Sequence, residues 1–236
     1  MAQPVIIDAI RTPIGKRGGA LAGLHPAELL GSTLVGLMKR ANIEAEQVDQ
    51  VVGGCVTQAA KQGSNVTRIA WLSQALPYET AATKVDCQCR SSQQANHFIA
   101  NNAIDFDFDF DFDFDFDFDF ACGVESMSHV PLGSDAINGL GKSHPANLRW
   151  DMPHQFGAAG LIAKKHDITR AQVDAFALAS QQGAARAWDE GRFERGLFSL
   201  EAPVIGPEGP TGEVQVVARD EGPRVPLPTS SPASSQ

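Results

Sequence analysis

Residues 84–104 read KVDCQCRSSQQANHFIANNAI. Residues 84–88 suit a short strand, and SSQQANHFIANNAI suits a helix. Ser91 with Gln94 three residues later is a capping-box pattern. Ala95, Phe98, Ile99 and Ala103 recur at the spacing of one buried helical face. Cys89 therefore falls on a strand-to-helix turn, just before a helix N-terminus. Unpaired N–H groups and the positive end of the helix dipole favour a thiolate there. The thiolate is the attacking form of cysteine, so the position suits a nucleophile. It also suits a small buried hydrophobe, and this stretch alone does not separate the two readings.

Working outward, PVIIDAI (residues 4–10) reads as a buried strand, being short, β-branched and apolar. A glycine-rich loop follows from Thr12 to Gly23. Residues 26–41 read as a helix with Leu29, Leu30, Thr33, Leu34, Leu37 and Met38 along one face. VDQVVGGCV suits a second strand running into a glycine turn, and residues 64–75 a helix stopped near Pro77. Strands alternating with helices predict an α/β sheet. Residues 121–153 are mostly glycine, serine, proline and turn formers. Helices are expected over 154–166 and from Thr169 onward, where Gln172 completes a capping box. The second carries Val173, Phe176, Ala177, Ser180, Ala184 and Trp188. The predicted organisation is an α/β domain over 1–121, a helical, loop-rich subdomain over 122–224, and a disordered Pro/Ser tail over 225–236.

The formal net charge of −9 says little about partners. Residues 105–120 are a strict Asp-Phe repeat that supplies eight of those negative charges and eight of the 13 phenylalanines. Outside it the chain is nearly neutral and has no Lys/Arg cluster of the kind nucleic acids require. No apolar run approaches the roughly 18 residues of a membrane span. The first residues lack a signal-peptide pattern. Four cysteines at irregular spacing suggest no disulfide framework, so a reduced, cytoplasmic setting is expected. Cys87-x-Cys89 has no second Cys/His cluster at ligand spacing, so no metal site is expected. Cys55 and Cys122 read as buried structural thiols.

Longer matches then add to these local readings. VDCQCRSSQQA (85–95) resembles the active-site segment VDxQCGSSQQA of thiolases, in their acetyltransferase and steroid-thiolase branch. AIRTPIGKRGGALAGLHPAEL (9–29) resembles that family's opening strand and loop, and NVTRIAWLSQALP (65–77) its N-x-x-R helix. ACGVESMSHVPL (121–132) carries its G-x-E-x-MS signature. DITRAQVDAFALASQQGAARAWDEGRF (167–193) resembles the helix pair of its CoA-binding loop domain, and VARDEGPR (217–224) its D-E-x-x-R. The six segments occur in the family's order.

The resemblance implies a thiolase-like N-terminal α/β domain, interrupted by the repeat, with an inserted CoA-binding loop domain. It implies that Cys89 accepts an acyl group from acyl-CoA as a thioester. The acyl-enzyme then condenses with a second acyl-CoA, or forms in reverse by cleavage of a 3-oxoacyl-CoA. It places Arg224 against the CoA adenine, where a planar guanidinium stacks on a base, and Phe156 near the pantetheine. For each of these two, a surface or core-packing role is the alternative. CoA thioesters are expected as substrates, with no separate cofactor. A homo-oligomer, dimer or tetramer, is expected.

Three departures from the family pattern bear on activity. Arg90 stands where the family has glycine, a residue that permits close approach of the acyl group. The repeat occupies the place of a central strand that would be apolar on both faces, and burying carboxylates there is costly. It is expected to form an edge strand or to extrude. The family's second α/β domain, with its GNH histidine, HP segment and CxGxG cysteine, has no counterpart after Arg224. The chain is therefore expected to be truncated and impaired in turnover. The alternative function is an inactive relative that binds CoA or serves as an oligomerisation fragment.

Overall fold

The structure, a computed structural model, describes residues 3–105, 118–137 and 145–224. The tail 225–236 and residues 106–117 of the repeat lie outside the described residues, as does the side chain of Ala103. Packing divides the chain into two units, residues 1–139 with 196–221, and residues 140–195 with 222–236.

Helix α1 spans Pro26–Ala41 in the first unit. Its start is fixed by sequence: His25 Nδ1 accepts from the Ala27 N–H, Glu28 accepts from the His25 N–H, and Pro26 supplies a helical φ without a lost donor. Asn42, at φ 55°, ends it in a left-handed cap. Ala27, Leu30, Leu34 and Met38 form its buried stripe. Strand β1 (Val48–Gly54), helix α2 (Val66–Ser73), strand β2 (Ala81–Val85), helix α3 (Ser91–Asp105) and strand β3 (Phe118–Gly123) follow. The three strands are parallel in the order β2-β1-β3. Parallel neighbours need crossover connections, and α2 and α3 supply them. The core lies between sheet and helices, with Val51, Val66, Ala70 and Trp71 at its centre.

The last three residues of the repeat open β3. Phe120 is buried in the core, Phe118 packs against it, and Asp119 is half-buried. Alternation thus lets the phenylalanines pack, and it carries the Asp119 side chain to the other face, where its Oδ1 is nevertheless out of solvent. The pairing of β3 with β1 slips in register between Val48 and Gln50, beside the repeat residues. Among the described strands β3 lies at the sheet edge. These residues belong to the sheet, so extrusion does not hold for 118–120.

The buried strand expected over residues 4–10 is absent. Val5, Ile6 and Ile7 are 76%, 82% and 61% exposed and carry no regular structure. A strand needs a ladder partner. Among the described residues this segment finds one only at Arg11, whose N–H donates to Gly196 O and whose carbonyl accepts from the Phe198 N–H.

The loop after Arg11 is anchored by the acidic pair of VARDEGPR. Arg11 makes a two-pronged ion pair with Asp220, at 2.7 and 2.9 Å, and Asp220 also accepts from the Ile14 N–H. Glu221 accepts from the N–H groups of Lys16 and Ala20. Strands β4 (Leu200–Gly206) and β5 (Gly209–Val217) form an antiparallel hairpin. With Leu21, their residues Leu200, Ala202 and Val217 make a second small core.

Between β3 and that hairpin come helix α4 (Ser134–Ile137) in the first unit, and α5 (Gln155–Lys165) and α6 (Arg170–Asp189) in the second. The Thr169/Gln172 capping box opens α6 as its sequence predicts. Neither α5 nor α6 has a buried residue.

Candidate active site

Strand β2 ends at Val85, earlier than the sequence suggested, and Asp86–Arg90 form a tight turn before α3. Asp86 Oδ1 accepts from the Gln88 N–H at 2.7 Å, the local Asx bond that makes aspartate a turn former. Gln88 sits at φ 55°, in left-handed backbone. The Arg90 N–H donates to Cys87 O, and the Ser91 N–H to Gln88 O. Cys87 and Cys89 form an isolated bridge across the turn.

The predicted capping box at Ser91 does not form. The Gln94 N–H donates to the carbonyl of Arg90, so Arg90 occupies the cap and Ser91 is the first helical residue. The buried Ser91 hydroxyl turns back instead. It donates to Gln88 O at 2.6 Å and accepts from the Cys87 N–H at 3.0 Å. A hydroxyl spent this way stiffens the segment that carries Cys89. Phe98, expected on the buried face of α3, is 41% exposed, while Ala95 is fully buried.

Cys89 lies beyond the carboxyl end of β2, beside the same ends of β1 and β3. In open parallel sheets this is the edge where ligands bind. The approach of α3 to that edge depends on two glycines. A Cβ at Gly54 would lie 2.3 Å from the Ser92 nitrogen and 2.5 Å from the Ser91 carbonyl carbon. One at Gly123 would lie 1.9 Å from Ser92 Oγ. The loops beyond β1 and β3 are clamped by two side chains. Glu125 accepts from the N–H groups of Val56 and Thr57 and from Gln62 Nε2. Fully buried Gln62 donates to Thr57 O and accepts from the Ser126 N–H. Glu125 of the G-x-E-x-MS signature thus ties two loops at the sheet edge. Asn65 and Arg68 of N-x-x-R likewise bind backbone: Asn65 caps α2 and donates to Ala82 O, and Arg68 donates to Tyr78 O and Thr80 O.

The four cysteines divide into two classes. Cys87 and Cys89 are exposed, as is the Arg90 side chain. Cys55 is buried, and desolvation, followed by the charge of Glu125, pushes its thiol up to about 11. Desolvation pushes the Cys122 thiol up to about 12. Both raised values favour the neutral thiol in the folded state. Their contribution to stability is present below the ordinary value of 9.0 and is lost as pH rises through about 11 and 12. Iodoacetamide at mildly alkaline pH is therefore expected to label Cys87 and Cys89 rapidly. Cys55 and Cys122 should label only at much higher pH or on unfolding. Peptide mapping against time checks this, and equal rates at all four sites would contradict it.

Arg224 and Phe156 belong to the second unit. Arg224 is exposed, and its N–H donates to Gln181 Oε1 on α6 at 2.8 Å. Phe156 is 77% exposed and makes a tilted ring contact with His154 at 5.1 Å. It is not part of a core. Among the described residues no group of three or more His, Cys, Asp or Glu side chains is arranged to hold a metal ion, and no helix is long and apolar enough to cross a membrane.

Residues 4–231 match the family model of the thiolase N-terminal domain, a span that runs past Arg224, the last residue of the D-E-x-x-R segment. A steroid 3-ketoacyl-CoA thiolase of Mycobacterium tuberculosis is 34% identical over 234 residues, covering 95% of this chain and 53% of the relative. A 3-ketoacyl-CoA thiolase of Aliivibrio salmonicida is 36% identical over 204 residues, covering 85% and 50%. The crystal structure of an acetyl-CoA acetyltransferase from Bacillus anthracis superposes with a TM-score of 0.71 at 26% identity, over 93% of this chain and 55% of that one. The chain thus spans about half the length of the relatives it matches.

Proposed function

This chain belongs to the thiolase family, and we propose that it carries the nucleophile of a CoA-dependent acyl transfer, with Cys89 as the residue acylated. The observation that supports this reading is the placement of Cys89. It is an exposed thiol on a hydrogen-bonded turn, at the carboxyl edge of a parallel sheet, directly before α3.

In the proposed step, Cys89 Sγ attacks the thioester carbonyl of an acyl-CoA. A carbon–sulfur bond forms to Cys89, the bond to the CoA sulfur breaks, and CoA leaves as its thiol with the proton. Names among the relatives, 3-ketoacyl-CoA thiolase and acetyl-CoA acetyltransferase, suggest the two directions in which such an acyl-enzyme is used. Arg224 and Phe156 are proposed to hold the CoA adenine and pantetheine. Their exposure, and the anchoring of the Arg224 backbone by Gln181, support that role. None of the six histidines lies in a GNH motif, and no cysteine in a CxGxG motif. Using the acyl-enzyme to condense with a second acyl-CoA also needs a positioned base to remove that molecule's proton.

Incubation with acetyl-CoA is expected to add one acetyl group to the tryptic peptide 85–90 and release one equivalent of CoA. Cys89→Ser should abolish both, and Cys87→Ser should abolish neither. Absence of adduct and of CoA release would remove the acyl-transfer reading. A CoA-dependent rise in Tm would then leave a CoA-binding role, and loss of that rise in Arg224→Ala would assign it to this residue.

A further inference from the structure

We propose that Cys87 and Cys89 form a paired-thiol oxidation site, in which a peroxide converts the two thiols into a reversible Cys87–Cys89 disulfide. Both side chains are exposed, and neither thiol makes a hydrogen bond among the described residues. The turn brings their backbones together. For a non-glycine residue, φ of 55° at Gln88 selects left-handed helical backbone. In helical geometry of either hand, Cα atoms two residues apart lie roughly 5.4 Å apart. That falls within the roughly 4.4–6.8 Å that a disulfide spans. The Arg90-to-Cys87 and Ser91-to-Gln88 backbone hydrogen bonds, with the Cys87 N–H donating to Ser91 Oγ, hold this turn in the reduced chain. The two other cysteines lack this access: Cys55 is buried and Cys122 is packed against the core.

The chemistry balances in two steps. The Cys89 thiolate attacks hydrogen peroxide; an S–O bond forms, the O–O bond breaks, and hydroxide leaves a sulfenic acid. The Cys87 sulfur then attacks Cys89 Sγ. An S–S bond forms, the S–O bond breaks, and the departing hydroxide takes the Cys87 proton as water. The thiol pair has lost two electrons and the peroxide has gained them. A ring closed over one intervening residue is strained, and strained disulfides are the readily reduced ones, so a dithiol restores the pair. Disulfide formation stands on the turn geometry alone. Its consequence, protection of the nucleophile from irreversible oxidation while acyl transfer is switched off, rests on the acyl-transfer reading above.

The test uses the full chain, hydrogen peroxide and the tryptic peptide 85–90, which contains both cysteines and no other. The expected product is that peptide lighter by two hydrogens, restored by dithiothreitol and formed faster in the folded chain than in urea. Cys87→Ser should instead gain two oxygens at Cys89, as sulfinic acid. Three results would overturn the proposal: oxygen gain at Cys89 at the same rate with or without Cys87, disulfides only between molecules, or equal closure rates in folded and unfolded chain. A chain that closes the disulfide yet gives no acetyl adduct when reduced keeps this proposal and loses the acyl-transfer reading. The converse result keeps acyl transfer and removes the oxidation site.

Discussion

Gly54→Ala is expected to lower stability by about 3 kcal/mol and to remove most acylation of Cys89 from the protein that remains folded. The added methyl has nowhere to go. Its nearest neighbours are the Ser92 nitrogen and the Ser91 carbonyl carbon, at 2.3 and 2.5 Å, and both are backbone. A flexible side chain would swing aside, but a helix N-terminus moves only as a unit. The unit here is the start of α3, and Ser91 holds Cys87 and Gln88 to it through its hydroxyl. Displacing α3 therefore displaces the turn that presents Cys89. Gly160→Ala in α5 is the matched control, because a Cβ there meets nothing within 4 Å. Removing a helical glycine should stabilise that variant by about 0.5–1 kcal/mol and leave Cys89 reactivity unchanged. Urea denaturation paired with the acetyl-CoA mass assay reads both effects. Wild-type stability and acylation in Gly54→Ala would refute the close approach of β1 to α3.

The parts of this arrangement that were legible in the sequence are those governed by local chemistry. His25, Pro26 and Glu28 mark the start of α1, and Thr169 with Gln172 marks the start of α6. The turn that carries Cys89 was legible because a short strand and a helix leave Cys89 nowhere else to be. Ser91 shows the limit of such reading. Its spacing to Gln94 satisfies a capping pattern, yet the turn before it offers Gln88 O and the Cys87 N–H as closer partners. PVIIDAI failed for a different reason. Strand propensity describes a residue's fit to a sheet surface, and among the described residues no strand pairs with this segment before Arg11. Alternation left the repeat two outcomes, an edge strand or extrusion, and residues 118–120 take the first, with Phe118 and Phe120 packed on the core from β3. Glu125, Gln62 and Asp220 act over long sequence separations, and no local pattern names their partners.

The site's rigidity also depends on a residue far from the chemistry. Trp71→Ala is expected to cost about 3–5 kcal/mol, the largest single loss among these substitutions. Trp71 is fully buried on α2, among the side chains that α1 and the sheet contribute to the main core. Its indole N–H also donates to Pro77 O at 2.6 Å, which fixes the exit from α2 toward β2. Alanine removes the ring, leaves a cavity in close-packed surroundings, and strands that carbonyl. Trp71→Phe restores most of the volume but not the donor, so its smaller loss isolates the hydrogen bond at about 1 kcal/mol. A domain with a total stability of about 5–15 kcal/mol has little margin for the alanine variant. Its thermal midpoint should fall well below that of Trp71→Phe, measured by circular dichroism at one protein concentration. Acylation of Cys89 in either variant should follow the folded fraction, because Trp71 acts only by holding α2 against the sheet. Loss of acylation beyond the loss of folded protein would show that the core reaches the Cys89 turn more directly than its contacts indicate.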